Sequence, residues 1–544
     1  MHNQKLKLGL LLDSFNVAAW EYSAVQRIIQ ENSSEFVLVI LNEDSHAFCE
    51  KKACVYSVFN RIDEKLFTKK PNPFTLKNVE ELLSGVPVNV VFPVRGDKVL
   101  FLRESDVRNI EKYKLDILIK FGFDGLQLED LKVSEYGTWL YYHGDDRIMK
   151  GGPPGFWEVV DNWSETGAAL LAQGGKSSLN RVLFRSHFFT YPLSPARQRS
   201  YYFWATTPFL ARQISLLQRF GGEKYFEETE KLNTALLRDV KSYTAPSNFL
   251  AIKSILKIVK RIIKEFLQRF FYKDYWFLLF SLKDDVSGNI SEFNKLTPPK
   301  NKFWADPHLI QVDRRYYIFI EEFLHAKNKG HISVIELDET GNWKAPVKVL
   351  EKDYHLSYPF IFKWNDTFYM VPESRENKTI DLYECVDFPY KWNFKQSIMG
   401  NISAVDTTII HYDNKWWLFT AIAENEAAAP NVELFLFYSD DIFSGKWMAH
   451  PRNPIVSDVK SARPAGSLFV KEGKLFRPSQ DCSKAYGYGF DLMEIELLSE
   501  TEYSERKTKS VRPDWDKNIQ ATHTFANCNN LTVIDVLTQS RKIG

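Results

Sequence analysis

Residues 306–322 read DPHLIQVDRRYYIFIEE: an apolar run, a polar turn, and a second apolar run that ends on two glutamates. The pattern returns without a gap at Tyr358 (YPFIFKWNDTFYMVPES), Asp406 (DTTIIHYDNKWWLFTAI), Pro464 (PAGSLFVKEGKLFRPSQ) and Ala521 (ATHTFANCNNLTVIDVL). Each copy reads as strand, turn carrying Asp, Asn or Gly, and strand. The starts recur roughly every 50 residues, the length of one four-stranded propeller blade. Five copies predict five blades. The stretch YWFLLFSL from Tyr275 is expected to complete the last blade and close the ring, which removes an open sheet edge.

Equivalent positions of a propeller repeat share a level around the central axis, so the first column forms a ring of Asp306, Tyr358, Asp406, Pro464 and Ala521. His308 and His523 share a neighbouring column, and the second strand adds Glu321 and Glu373 at its inner end. Two carboxylates across a sugar ring are the arrangement for chemistry at a glycosidic bond. Asp306 and Asp406 are therefore candidate catalytic groups, with Tyr358, Glu373, His308 and His523 as candidate substrate contacts. Arg463 and Arg477 point to a carboxylate or phosphate ligand. The plainer alternative is that the two aspartates only cap turns.

These motifs carry two resemblances. WADPHL and AVDTTI resemble the five-bladed propeller glycosidases of family 43, in which the first Asp is the base and the second adjusts pKa; Asp306 and Asp406 stand at those places. The general acid of that family is a Glu before a Pro, and here SARPAGSLF places Arg463 there. A guanidinium does not donate a proton near neutral pH, which leaves Glu373 as the candidate for that role. FWADPHL, YPFIF, MVPES and RPAGSLF also resemble the non-catalytic propeller region found with plant glucosamine inositolphosphorylceramide transferases, over about half the chain.

Upstream, KLKLGLLLD, EFVLVILN, VNVVF, LDILIKFG and GTWLYYH alternate with amphipathic helical stretches. Short apolar runs of this kind predict a doubly wound parallel sheet, whose ligands sit at the carboxyl ends of the strands, where His143 falls. No GxGxxG follows the first strand, so a dinucleotide site is not expected. LDILIKFGFDGL, YYHGDD, GGPPGFWEVV and ETGAALL resemble the formyltransferase fold family. That resemblance implies a Rossmann-like domain in which an Asn, a His and an Asp pass formyl from 10-formyltetrahydrofolate to an amine. His143 stands at the histidine and Tyr141 at the asparagine. No carboxylate occupies the place of the third group, and Asp145 or Asp146 is the local candidate to orient the imidazole.

Between these halves, SNFLAIKSILKIVKRIIKEFLQRFF (residues 247–271) is a basic amphipathic helix. It reads either as a linker packed between domains or as a peripheral contact with anionic lipid. The balance of 70 Lys and Arg against 69 Asp and Glu gives no global field, and no recognisable module pairs a basic stripe with stacking aromatics, so nucleic acid is not an expected partner. Five scattered cysteines without a CxxC pair predict a reducing compartment and no structural zinc. The first apolar run ends at Asp13 and reads as a strand, and no stretch has the length of a membrane span.

The sequence thus predicts a formyltransferase-like α/β domain over 1–200, a helical linker over 201–271 and an all-β five-bladed propeller over 272–544. The function expected is a transferase, cytoplasmic or peripheral at the inner membrane surface, acting on a sugar, nucleotide-sugar or glycolipid. A family 43-like hydrolase and a non-catalytic glycan-binding protein are the alternatives.

Overall fold

The computed structural model describes residues 4–43, 54–96, 99–129, 131–176, 180–233, 240–283, 290–425 and 428–542. The chain divides into two compact units, Met1–Ile262 and Ile263–Gly544.

The first unit is built on a seven-stranded sheet: β1 (Leu6–Leu12), β2 (Ser34–Asn42), β3 (Val88–Val91), β4 (Ile117–Lys120), β5 (Thr138–Tyr142), β6 (Glu165–Gln173) and β7 (Arg181–Phe189). Their spatial order is 3-2-1-4-5-6-7. The first five run parallel, and β6 and β7 are antiparallel additions at one edge. The central parallel strands are apolar on both faces because both are covered. Leu10 and Leu12 join a core with Val25 and Ile28 of α1 (Ala19–Glu31), while Leu11 faces the opposite way with Leu38 and Ile40 of β2 and Ile110.

The expected linker begins too early. Residues 201–233 fall in the end of α2 (Pro195–Thr206), in α3 (Phe209–Phe220) and in α4 (Gly222–Asn233). Leu210, Ile214, Leu217 and Tyr225 lie in the same core as Leu10 and Leu12. Their periodic apolar face needs a partner, and the sheet of the first unit supplies it. A single helix, α5 (Asn248–Phe271), leads from there into the second unit.

The second unit is the five-bladed propeller. Its sheets start on inner strands Lys302–Val312, Ser357–Trp364, Ala404–Tyr412, Phe469–Lys471 and Phe525–Cys528. Tyr272–Ser281 pairs along its whole length with Leu531–Arg541, from Tyr272 opposite Arg541 to Ser281 opposite Thr532, so the earliest strand of the unit completes the last blade. In the first three blades the register is the one the repeat predicts: Ala305 opposite Glu321, Ser357 opposite Glu373, and Val405 opposite Ala421.

Candidate functional site

Each of those three inner strands breaks register immediately after the pair just named, resuming at His308, Phe360 and Thr408. The residue at the break has positive φ: Asp306 at 51°, Tyr358 at 43° and Asp406 at 51°. A bulge re-aims a side chain, and a left-handed tyrosine is a strained one. In the fourth blade Gly466, two residues beyond the first-column Pro464, has φ 137°. A Cβ there would lie 1.9 Å from the Phe525 carbonyl oxygen, so only glycine fits.

The bulged residues meet near the axis and bond blade to blade. Asp306 accepts from Tyr358 N at 3.2 Å and from Thr524 Oγ1 at 3.1 Å. Tyr358 OH lies 3.0 Å from Thr408 Oγ1 and accepts from Gly466 N at 2.7 Å. Asp406 accepts from Arg463 Nε at 2.5 Å and Nη2 at 3.1 Å, and from Gln480 Nε2 at 2.8 Å. His523 stands between two carboxylates, Nε2 3.0 Å from Asp306 and Nδ1 3.0 Å from Asp535. Asp535 also accepts from the backbone N–H groups of Asp306, His523 and Thr524.

The electrostatics separate the acidic groups. Burial opposes the His523 imidazolium, yet Asp535 and Asp306 outweigh it and raise its pKa well above the ordinary value. Burial likewise works against the Asp306 carboxylate, but His523 holds it down at about 2. Glu321 and Glu373 go the other way. Desolvation, then the Asp306 and Glu373 charges, raises Glu321 well above the carboxylate range; desolvation, then Asp406, does the same for Glu373. Glu373 Oε2 has no hydrogen-bond partner, and the nearest cation is Arg463 Nη2 at 3.6 Å. A carboxylate kept ionised beside carboxylic acids kept protonated is the pattern from which base and acid roles are assigned. His308, pushed down to about 3 by burial, is neutral and packs its ring edge-on against Tyr358.

Sequence reasoning missed four members of this cluster. Gln480 and Asp535 lie within the fourth and fifth repeats, so a search of every column would have found them. Tyr486 is 51% exposed, with the Arg463 guanidinium 5.0 Å from its ring centroid. His355 lies 3.4 Å from Glu321. Both sit on connections outside the repeat, where no column exists.

Two expectations are corrected. Arg463 does not await an anion, since it is spent on Asp406. Arg477 is fully buried away from the cluster, forked onto Glu505 at 2.9 and 2.7 Å and donating to Ser461 O at 2.7 Å. Asp306, His523 and Asp535 are the one group among the described residues whose ligand atoms lie close enough, within 4.8 Å of one another, to hold a metal ion. Here the imidazole already faces both carboxylates.

In the first unit, His143 follows β5 as expected, but it stacks on Phe203 at 3.7 Å, packs edge-on against Trp20 and Tyr202, and has Nε2 3.2 Å from Thr206 Oγ1. Desolvation pushes its pKa down to about 3. Tyr141 OH is engaged by Thr207 O and Leu210 N, both at 3.4 Å. Asp145 turns to Arg147 (2.9 and 2.8 Å) and His187, and Asp146 to Arg185 (2.8 and 2.6 Å), so both carboxylates face arginines rather than the His143 imidazole.

The family model described as glucosamine inositolphosphorylceramide transferase 1, N-terminal, matches residues 290–536. Curated relatives are the glucosamine inositolphosphorylceramide transferases 1 of Oryza sativa subsp. japonica, 37% identical over 210 residues, and of Arabidopsis thaliana, 35% identical over 210 residues. In both cases 38% of this chain is aligned, against 28% of the rice protein and 27% of the Arabidopsis protein. The chain therefore spans less than a third of either relative. Solved structures similar to it include a thermostable family-43 glycoside hydrolase (15% identity, 44% of this chain and 89% of that one, TM-score 0.34). Another is the family 117 glycoside hydrolase Zg3597 of Zobellia galactanivorans (13% identity, 49% and 90%, TM-score 0.32).

Proposed function

We propose that this protein acts in the transfer of a sugar during glycolipid assembly, and that the axial cluster of the propeller is where a sugar ring is held. The observation that carries the reading is the separation of charge at the axis: Asp306 ionised, Glu321 and Glu373 protonated, and Tyr486 exposed above Arg463. An aromatic face beside hydroxyl-binding carboxyl groups suits a pyranose. The shared sequence with transferases named for glucosamine and inositolphosphorylceramide supports the substrate class.

With Glu321 and Glu373 protonated, the cluster sets three carboxylates, Asp306, Asp406 and Asp535, against two cations, Arg463 and His523. Such a balance disfavours a phosphorylated sugar and suits an uncharged or amine-bearing one. The α/β unit would then hold the donor, in the crevice at the carboxyl ends of β1 and β4, where the strand order of an open sheet reverses. There Asp13 accepts from Asn42 Nδ2 at 2.8 Å and from Phe123 N at 2.9 Å.

Incubation of the full chain with nucleotide-sugar donors and inositolphosphorylceramide, followed by mass measurement of the lipid, tests the reading. The expected result is a lipid heavier by one hexosamine or hexose, reduced at least 100-fold in Asp306→Asn. The observation that favours a second reading, hydrolysis, is Glu373, whose carboxyl is raised well above the ordinary range by burial and by the neighbouring Asp406. Cleavage of aryl glycosides that is lost in Glu373→Gln, without any lipid product, would replace transfer by hydrolysis.

A further inference from the structure

α5 divides its circumference into three strips. At about 100° per residue, Ala251, Ser254 and Ile258 form one strip, and it is buried. Arg261 pins that side, donating to the carbonyls of Val159 and Pro192 at 2.7 Å and of Val160 at 2.9 Å. The second strip is apolar and exposed: Phe249, Ile252, Leu256, Val259, Ile263, Phe266 and Phe270 alternate spacings of three and four along the whole helix. Phe249 is 78% exposed, Phe266 67% and Leu256 64%. Lys253, Lys260 and Lys264 make the third strip, exposed along one border of the second, and none has an ion-pair partner among the described residues.

A stripe of large apolar side chains left in water is unfavourable until a partner buries it, and contiguous patches of this kind mark interaction sites. The charge pattern chooses the occupant. Glu265 is the only acid in Asn248–Phe271, so a second copy laid on the stripe would bring lysine rows together without acids to answer them. An anionic surface answers them directly. No helix among the described residues is long and apolar enough to cross a membrane, and an anchored helix with an apolar strip beside a lysine strip is built to lie in the headgroup plane.

We infer that α5 is a docking surface for an anionic lipid bilayer, with Leu256, Ile263 and Phe266 entering the acyl boundary and Lys253, Lys260 and Lys264 meeting the headgroups. This reading is independent of what the propeller binds.

The test is co-sedimentation of the full chain with phosphatidylcholine vesicles and with vesicles containing 30% phosphatidylglycerol, alongside measurement of the protein's mass in solution. Binding to the anionic vesicles is expected, weakened by salt, with little binding to the neutral ones. Ile263→Glu with Phe266→Glu should abolish it. Lys253→Gln, Lys260→Gln and Lys264→Gln together should weaken it about 100-fold, without lowering the melting temperature. Failure to bind anionic vesicles, equal binding to neutral ones, or a dimer that Ile263→Glu dissociates would each overturn the inference.

Discussion

Arg463 shows what one residue of the axial cluster is worth. It is nearly buried, forks onto Asp406 and stands 3.6 Å from Glu373. Removing one partner of a buried pair leaves the other charged and desolvated, at a cost of about 3–5 kcal/mol. Arg463→Met is expected to lower the propeller's unfolding free energy by that amount, measured by urea denaturation. Arg463→Lys should recover only part, because an ammonium cannot reproduce the fork. The sequence places Arg463 at the axis, since it adjoins the first column, but not its orientation. That is decided by Asp406, on another blade 57 residues earlier, and columns say which residues share a level, not which pair across it. Arg477 fails for a related reason: strand alternation turns it away from the axis toward Glu505, on a strand outside the aligned repeat. His143 was legible as a strand-end histidine, whereas its aromatic cage was not. Phe203 comes from a helix 60 residues downstream, and Tyr202 beside it is equally remote in sequence.

At the level of the blade, the gap-free alignment of the repeats became the observed register because the same bulge interrupts the first three inner strands at the same column. An insertion common to every copy leaves no gap between copies, so the bulge itself is invisible to alignment. Only its geometry shows that Asp306, Tyr358 and Asp406 are turned inward by left-handed backbone. In the fourth blade Gly466 stands two residues beyond that column, and Gly466→Ala puts a methyl group into the Phe525 carbonyl. Neither backbone can move without separating the fourth and fifth blades, so a loss of about 3 kcal/mol or more is expected. Gly473→Ala is the control: φ is 75°, but nothing lies within 4 Å of the added Cβ, and about 1 kcal/mol should be lost. Equal urea midpoints for the two variants would show that the close approach is not what holds these blades.

For the whole molecule, the change at Tyr272 from helical to strand pattern marks where the first propeller strand starts, and it is legible because the periodicity of the apolar residues switches. The preceding boundary is not. The apolar faces of α3 and α4 announce that they are buried, but not against what, and the sheet that takes them draws its strands from as near as Arg181–Phe189 and as far back as Leu6–Leu12. Each unit has its own core, the first around Leu10, Ile117 and Ile214, the second around such residues as Leu278, Ile320 and Val533. Two calorimetric transitions are therefore expected, of which Gly466→Ala lowers one and leaves the other in place. A fragment of residues 263–544 should reproduce the transition that Gly466→Ala lowers, because Tyr272–Ser281 remains to pair with Leu531–Arg541. A fragment of residues 284–544 lacks that strand. Its Leu531–Arg541 edge then carries an unpaired row of backbone donors and acceptors beside Val533 and Val536, which are fully buried in the intact ring. Such an edge recruits other chains, so the shorter fragment should precipitate where the longer one stays soluble. Equal solubility and one shared melting point would mean that the ring does not depend on its earliest strand for closure.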